Sequence, residues 1–225
     1  MIGSAFRLRT TFGQAMPALE AAAAQVWQLP GLRERYPEYL RAMHGVIRAS
    51  VPLMELAARR CAERPDDPVA APLRTYLLRH VIEERGHDDW LLDDLAALGH
   101  AVGPLASAPP PPAVARLVGA QYYWVLHHHP VALLGYIAVM EGNAPHVGLV
   151  ARLVESAGLP ETALRTVRDH AALDTAHTRA VYDLIDSLPL TPDQTTAIAV
   201  SGLCTAEGLM RLFAHIARTR KDGAR

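Results

Sequence analysis

The sequence predicts an all-α protein, a bundle of about seven helices in a single domain, and three observations carry that prediction. Ala, Leu, Arg and Glu are abundant, and these residues favour helix. Proline falls mainly where helices begin. Alternating β-branched runs between turn dipeptides, the signal of strands, do not occur in the sequence. Half of the 225 residues are hydrophobic, enough for one sizeable core.

The elements follow from local signals. Breaks are expected near 30, 50, 64–68, 99–112, 127–130, 157–160 and 188–191. Asp67-Pro68 offers an N-cap and a first-turn proline to one continuous helix from 68 to about Leu98. Leu73, Leu77, Leu78, Val81 and Ile82 recur along it at helical spacing, and Gly99 can end it. Residues 103–112, with Pro104 and Pro109 to Pro112, read as a non-helical, polyproline-like connector. It is taken as a loop rather than a domain boundary, because neither half alone holds all the polar clusters below. Gly158-Leu159-Pro160 closes one helix and opens the next. Thr191-Pro192-Asp193-Gln194 is a capping box that opens a last helix towards Ile216.

Composition also excludes. A net charge of −1 gives no reason to expect nucleic acid or an anionic membrane as partner. The two cysteines, Cys61 and Cys204, are far apart and outside any C-x-x-C spacing, which argues against a disulfide framework or thiolate metal site and fits a reducing cytoplasm. Arg7 and Arg9 are followed by Thr10, Thr11, Gln14 and Pro17 rather than by an apolar stretch, so no signal peptide is expected. No run of ~18 apolar residues occurs, so no membrane span is expected.

Histidine is the outlier. Eleven are scattered from His44 to His215. An imidazole-rich, cysteine-poor chain with many carboxylates suits iron, manganese or zinc held through N and O atoms. Glu84 and His87 stand at i, i+3 in the helix read from 68 to 98, a spacing that lets one helix offer a carboxylate and an imidazole to the same metal. The plain alternative is a solvated charged face beside Trp90, Leu91 and Leu92. His170, Asp174 and His177 stand at i, i+4, i+7 among Ala171, Ala172, Leu173 and Ala176, on one face across two turns. Two imidazoles and a carboxylate buried together need partners; the alternative is an exposed His/Asp face. Glu141 is the first acid after the apolar stretch from Pro130, with Gly142, Asn143 and Pro145 just beyond, and is either a solvated helix end or a buried, compensated charge. Together, Glu84, His87, Glu141, His170, Asp174 and His177 approach the ligand set of a carboxylate-bridged di-iron or di-manganese site in a helical bundle.

These residues, in this order, resemble the haem-oxygenase-like di-iron oxidases, the iron-containing redox enzymes. That family carries a Glu and His on one core helix, a Glu on the next, and H-x-x-x-D-x-x-H on a third. The contexts Glu83-Glu84-Arg85-Gly86-His87 and Leu133-Leu134-Gly135-Tyr136 with Met140-Glu141-Gly142 are also similar to the family, over roughly residues 35–220. The resemblance implies a haem-oxygenase-like bundle without haem. It implies two Fe2+ ions, with manganese as the alternative, and O2 as co-substrate. By analogy His87, Glu84 and His170 would hold one iron and Glu141, Asp174 and His177 the other, with either glutamate bridging. The implied activity is O2-dependent oxidation of a small amine, amino-acid or carboxylate metabolite by N-oxygenation, C–C cleavage or decarboxylation. The expected partner is a small-molecule substrate, and an external electron donor and a homodimer are left open.

Secondary candidates are His80, where some family members carry a glutamate ligand, and Glu83, which points about 100° away from Glu84 around a helix. Glu55 is either an extra carboxylate or the partner of Arg59. His127-His128-His129 reads as a loop or pocket rim; His44, His100, His146 and His215 read as structural or surface. Tyr122, Tyr123, Trp124 and Tyr136 are candidates for a cavity lining, and Arg48, Arg85, Arg165 and Arg168 for a carboxylate counter-charge. Three competing readings are a metal-free thiaminase-like or cofactor-biosynthesis enzyme of the same fold, a ferritin-like metal bundle, and a helical binding protein without catalysis.

Overall fold

The computed structural model describes residues 3–143 and 148–218, excepting the side chains of 106 and 172–175. Among the described residues there are nine α-helices, three short 3-10 turns and no strands. The α-helices are α1 Ser4–Val26, α2 Leu32–Ala62, α3 Ala70–Glu84, α4 His87–Ala97, α5 Pro112–His127, α6 Leu133–Glu141, α7 Leu149–Ala157, α8 Arg165–Ser187 and α9 Pro192–Arg218.

Four boundaries differ from the sequence expectation; one is the end of α6 at Glu141, capped by Gly142, where no break between 130 and 157 was counted. No break occurs near 50: α2 runs through Pro37 and Pro52, because its apolar stripe continues past the second proline through Leu53, Met54, Ala57 and Cys61. The helix expected from 68 to 98 is two helices. Arg85 is extended and Gly86 takes a left-handed φ of 90°, a conformation that costs other residues more than glycine. The segment 103–112 is helical at both ends, with a 3-10 turn at Gly103–Ala106 and Pro112 opening α5. Between them Pro111 keeps polyproline-like angles, φ −54° and ψ 148°. Other signals act as expected. Thr191 and Gln194 exchange reciprocal hydrogen bonds of the capping box, and Gly158 and Gly99 adopt positive φ where helices end.

One hydrophobic cluster takes in buried residues from α1 through α9. Two helices organise it. α2 packs on α3, α4 and α5, while α9 packs on α1, α5 and α6. α9 is long and apolar enough to cross a membrane by length and composition, but half of its most apolar window is buried inside the fold. It is a core helix here, with Ile198, Leu209, Leu212 and Ile216 facing inward. Its polar positions are matched too: Ser201 donates to Gln121, and Gln121 donates to Thr205.

α6 crosses α9 backbone to backbone at Gly135. A Cβ built there would lie 2.1 Å from the Ile198 carbonyl oxygen, so the crossing requires glycine. This close approach anchors the helix that carries Glu141 at its C-terminal end.

The entry to α3 is fixed from elsewhere in the chain. Asp67 accepts a hydrogen bond from the Val69 N–H at 2.9 Å, and His129 Nε2 donates to its other oxygen at 2.6 Å. His129 Nδ1 accepts from the Val131 N–H, so the ring is neutral with its proton on Nε2. Burial pushes the His129 pKa below its usual value, although Asp67 opposes the shift. A histidine depressed in the folded state contributes its full stability above its unfolded pKa, and that contribution is lost as pH falls towards the folded value. His129→Ala is therefore expected to cost about 1–3 kcal/mol near neutral pH. The gap to the parent protein should narrow as pH falls from about 7.5 to about 5, measured by urea unfolding.

Candidate metal centre

Four helices deliver the polar residues of the interior. α3 carries His80 and Glu84 one turn apart, and α4 opens with His87. α6 ends on Glu141, and α8 supplies His170 and His177 two turns apart. The break at Gly86 alters how the Glu84/His87 pair forms. They do not share one helix face as the spacing predicted; instead the turn carries His87 Nδ1 to 3.2 Å from Glu84 Oε2.

The ligand-type atoms form two groups that share one residue. His80, Glu84, Glu141 and His177 offer atoms within 4.8 Å of one another, and so do Glu84, His87 and His170. Five of the six primary candidates therefore converge. Asp174 lies on α8 between His170 and His177, and its side chain lies outside the described residues. His80 stands in the group where the analogy placed Asp174.

The hydrogen bonds set the ring orientations. His170 Nδ1 donates to the Thr166 carbonyl at 2.9 Å, which leaves Nε2 as its acceptor nitrogen. His80 is held between Glu83 at Nδ1 and Glu141 at Nε2, both at 3.2 Å. An imidazole held by a carboxylate on one nitrogen, with the other facing the ligand group, is the usual support for a metal-bound histidine. Glu83 itself is far more exposed than Glu84, which agrees with the two having separate roles.

Charge is concentrated in this space. Burial alone would raise the Glu141 pKa, but contacts with His177 and His80 outweigh it and hold the carboxyl down at about 2. Burial would likewise depress His80, yet Glu141 and Glu84 lift it above its ordinary value. Glu141 does the same to His177 despite some burial. In His170 burial prevails, and its pKa falls.

His177 Nδ1 tests whether a cation fits. This nitrogen is fully enclosed, 3.3 Å from Glu141 without the alignment of a hydrogen bond and 3.6 Å from Glu84, beyond hydrogen-bond reach. A buried nitrogen facing two carboxylates without a hydrogen bond has the arrangement of a ligand set around a shared cation. The donors are nitrogen and oxygen only, which suits iron or manganese.

The remaining candidates lie elsewhere. Glu55 pairs with Arg85 at 3.0 Å, not with Arg59 and not with the cluster. Arg165 and Arg168 pair with Asp169. His127 and His128 are exposed, His129 serves Asp67, His100 contacts Arg41, and His146 lies outside the described residues. A cavity of about 90 Å³ adjoins the cluster, bordered by His80, Glu84, Glu141 and His170 at one end. Met43, Ile47, Leu53, Ile137, Leu209 and Phe213 make much of its wall, and among the described residues no arginine or lysine lines it. Of the four aromatic candidates Tyr136 borders this cavity; Tyr122, Tyr123 and Trp124 do not.

Asp94 was not singled out from the sequence. It is fully buried in α4 and accepts the Arg165 and Thr166 N–H groups at 3.0 and 2.9 Å, capping α8 from a different helix. That long-range cap fixes the first turn of α8, and so His170, relative to His87 on α4. No local signal marks it.

The fold is haem-oxygenase-like. A domain of unknown function with a heme oxygenase-like fold from Shewanella denitrificans matches with TM-score 0.77 at 18% identity, covering 93% of this chain and 88% of that one. A CADD-like protein of unknown function from Nostoc punctiforme matches at TM-score 0.71 and 17% identity, covering 95% and 96%. A TenA homolog from Pseudomonas syringae pv. tomato matches at 0.69 and 14%, covering 91% of each chain. No protein of curated function matches in sequence. The family model described as iron-containing redox enzyme matches residues 37–207, and the chain belongs to that family.

Removing the Asp94 cap tests the positioning argument. Asp94→Ala is expected to cost about 1–3 kcal/mol in urea unfolding. It should also weaken metal binding in a competition titration, whereas Asp93→Ala, at the exposed neighbouring position, should change neither.

Proposed function

We propose that the protein is a non-haem di-iron oxidase or oxygenase that uses O2 to oxidise a small metabolite. The observation that carries this reading is the pair of nitrogen–oxygen groups sharing Glu84, with His177 Nδ1 facing two carboxylates and bonded to neither. In this reading Glu84 would be shared by the two sites, His87 and His170 would hold one iron with it, and His80, Glu141 and His177 would hold the other. Asp174 remains a proposed ligand on the strength of its place in H-x-x-x-D-x-x-H. Bound iron supplies the capacity to activate O2, which no side chain of this chain has.

The chain's own residues do the rest. Thr166 and Glu83 orient His170 and His80 through their Nδ1 hydrogen bonds. The apolar wall excludes water from the reacting end of the cavity and holds the body of the substrate. A Ser50–Tyr136 contact at 3.4 Å adds polar groups to the same wall. With no cation in the wall, a substrate amine or carboxylate would have to lie at the His/Glu end. Within the expected class of amines, amino acids and carboxylates, this favours a compact molecule with one polar group and an apolar remainder.

The thiaminase-like alternative needs a cysteine nucleophile. Cys61 is buried with its thiol pKa pushed up to about 12, and neither it nor Cys204 borders the cavity. The TenA-like neighbour therefore supports the fold, and the cluster favours the oxidative reading. A single domain working in a reducing cytoplasm completes the proposal.

The test is anaerobic loading with Fe2+, metal counting, and O2 uptake against panels of amines, amino acids and fatty acids. The expected result is about two irons per chain and substrate-dependent O2 uptake. Glu141→Ala and His177→Ala should each lower iron content and abolish the uptake while leaving the helical circular-dichroism signal intact. Unchanged iron content in both variants would overturn the reading.

A further inference from the structure

A second cavity, of about 180 Å³, lies on the other side of α2 and α9. On α2, Met43 borders the first cavity and His44 the second. On α9, Phe213 borders the first and Leu212 the second. The outer wall is Pro109, Pro110 and Pro111, which have no N–H to donate and form a stiff apolar strap. Polar recognition must therefore come from the helices.

Those helices present a basic set. Arg41, Arg48, His44 and His215 border the cavity, against one acid, Glu38. Glu38 forms an ion pair with Arg41, which also contacts His100 at 3.0 Å. Arg48 acts on His44 electrostatically, and Asp88 and Asp89 on α4 act against it.

His44 is the feature that calls for a ligand. It is 5% exposed, borders the cavity, and makes no hydrogen bond to another described residue. The ring borders the cavity, where a ligand would give its N–H the partner that no described residue supplies.

We propose that this second cavity binds a small organic anion, a phosphate or carboxylate head group on a compact apolar body. Arg48, which also donates to the Leu105 carbonyl at 3.5 Å, supplies the compensating charge, His44 supplies a hydrogen bond, and the proline strap with Leu105 and Ile216 receives the apolar part. The site is distinct from the His/Glu cluster and stands whether or not iron binds there. A ligand in it would touch the same two helices that wall the first cavity.

The test uses the full chain, freed of metal, and isothermal titration with inorganic phosphate and with butyrate as separate probes. Saturable binding of at least one probe is expected, and the preferred probe identifies the head group. Arg48→Gln, at an exposed position that should not disturb folding, and His44→Gln should each weaken that binding about tenfold, as loss of one charge-assisted or buried hydrogen bond implies. Binding equally strong in Arg48→Gln, or no saturable binding of either probe, would overturn the proposal.

Discussion

Two carboxylates, Glu84 and Glu141, are withdrawn from water in the middle of a helical bundle, and their charge has to be answered within it. Each is only about a tenth exposed. Without metal the answer is protons: Glu141 stays ionised because His80 and His177 are held above their ordinary pKa. Cations in the same space displace those protons and satisfy the same lone pairs, so metal binding and proton release are linked. The proposed chemistry depends on this exchange, and so does the backbone around it. Gly86 turns the chain between α3 and α4 so that His87 returns to Glu84. Gly135 lets α6, the helix that ends at Glu141, press against α9. Asp94 ties the start of α8 to α4.

The cluster and the first cavity divide the work between them. All charge lies at one end, while the rest of the wall is Met, Ile, Leu and Phe. In the proposed function that asymmetry would orient a substrate, since a polar group gains only at the His/Glu end. The arginines weighed as counter-charges are used elsewhere. Arg85, Arg165 and Arg168 form half-exposed ion pairs, worth little to stability, and Arg48 faces the second cavity.

Much of the site was legible in the sequence because helical spacing is a strong constraint. H-x-x-x-D-x-x-H placed His170 and His177 on one face of α8, and Glu141 proved to be the buried, compensated acid rather than a solvated helix end. The Glu84/His87 pair was found by spacing that assumed an unbroken helix. It survives because the left-handed turn at Gly86 brings the two together by another route. His80 showed its place only in three dimensions, where α6 and α8 bring Glu141 and His177 to it. Asp94 was invisible because its partners lie more than seventy positions along the chain. The helix count fell short because Gly86 was read as an interior residue and the end of α6 at Glu141 was not counted as a break, while the break expected near 50 does not occur.

Sharing of Glu84 between the two groups is the central claim, and it has a direct measurement. Anaerobic Fe2+ titration of Glu84→Ala, followed by metal counting and Mössbauer spectroscopy, separates a shared ligand from a private one. The account predicts that this single change weakens both iron sites, while His170→Ala and His177→Ala each weaken mainly one. An Glu84→Ala variant that keeps one iron at the affinity of the parent protein would contradict it.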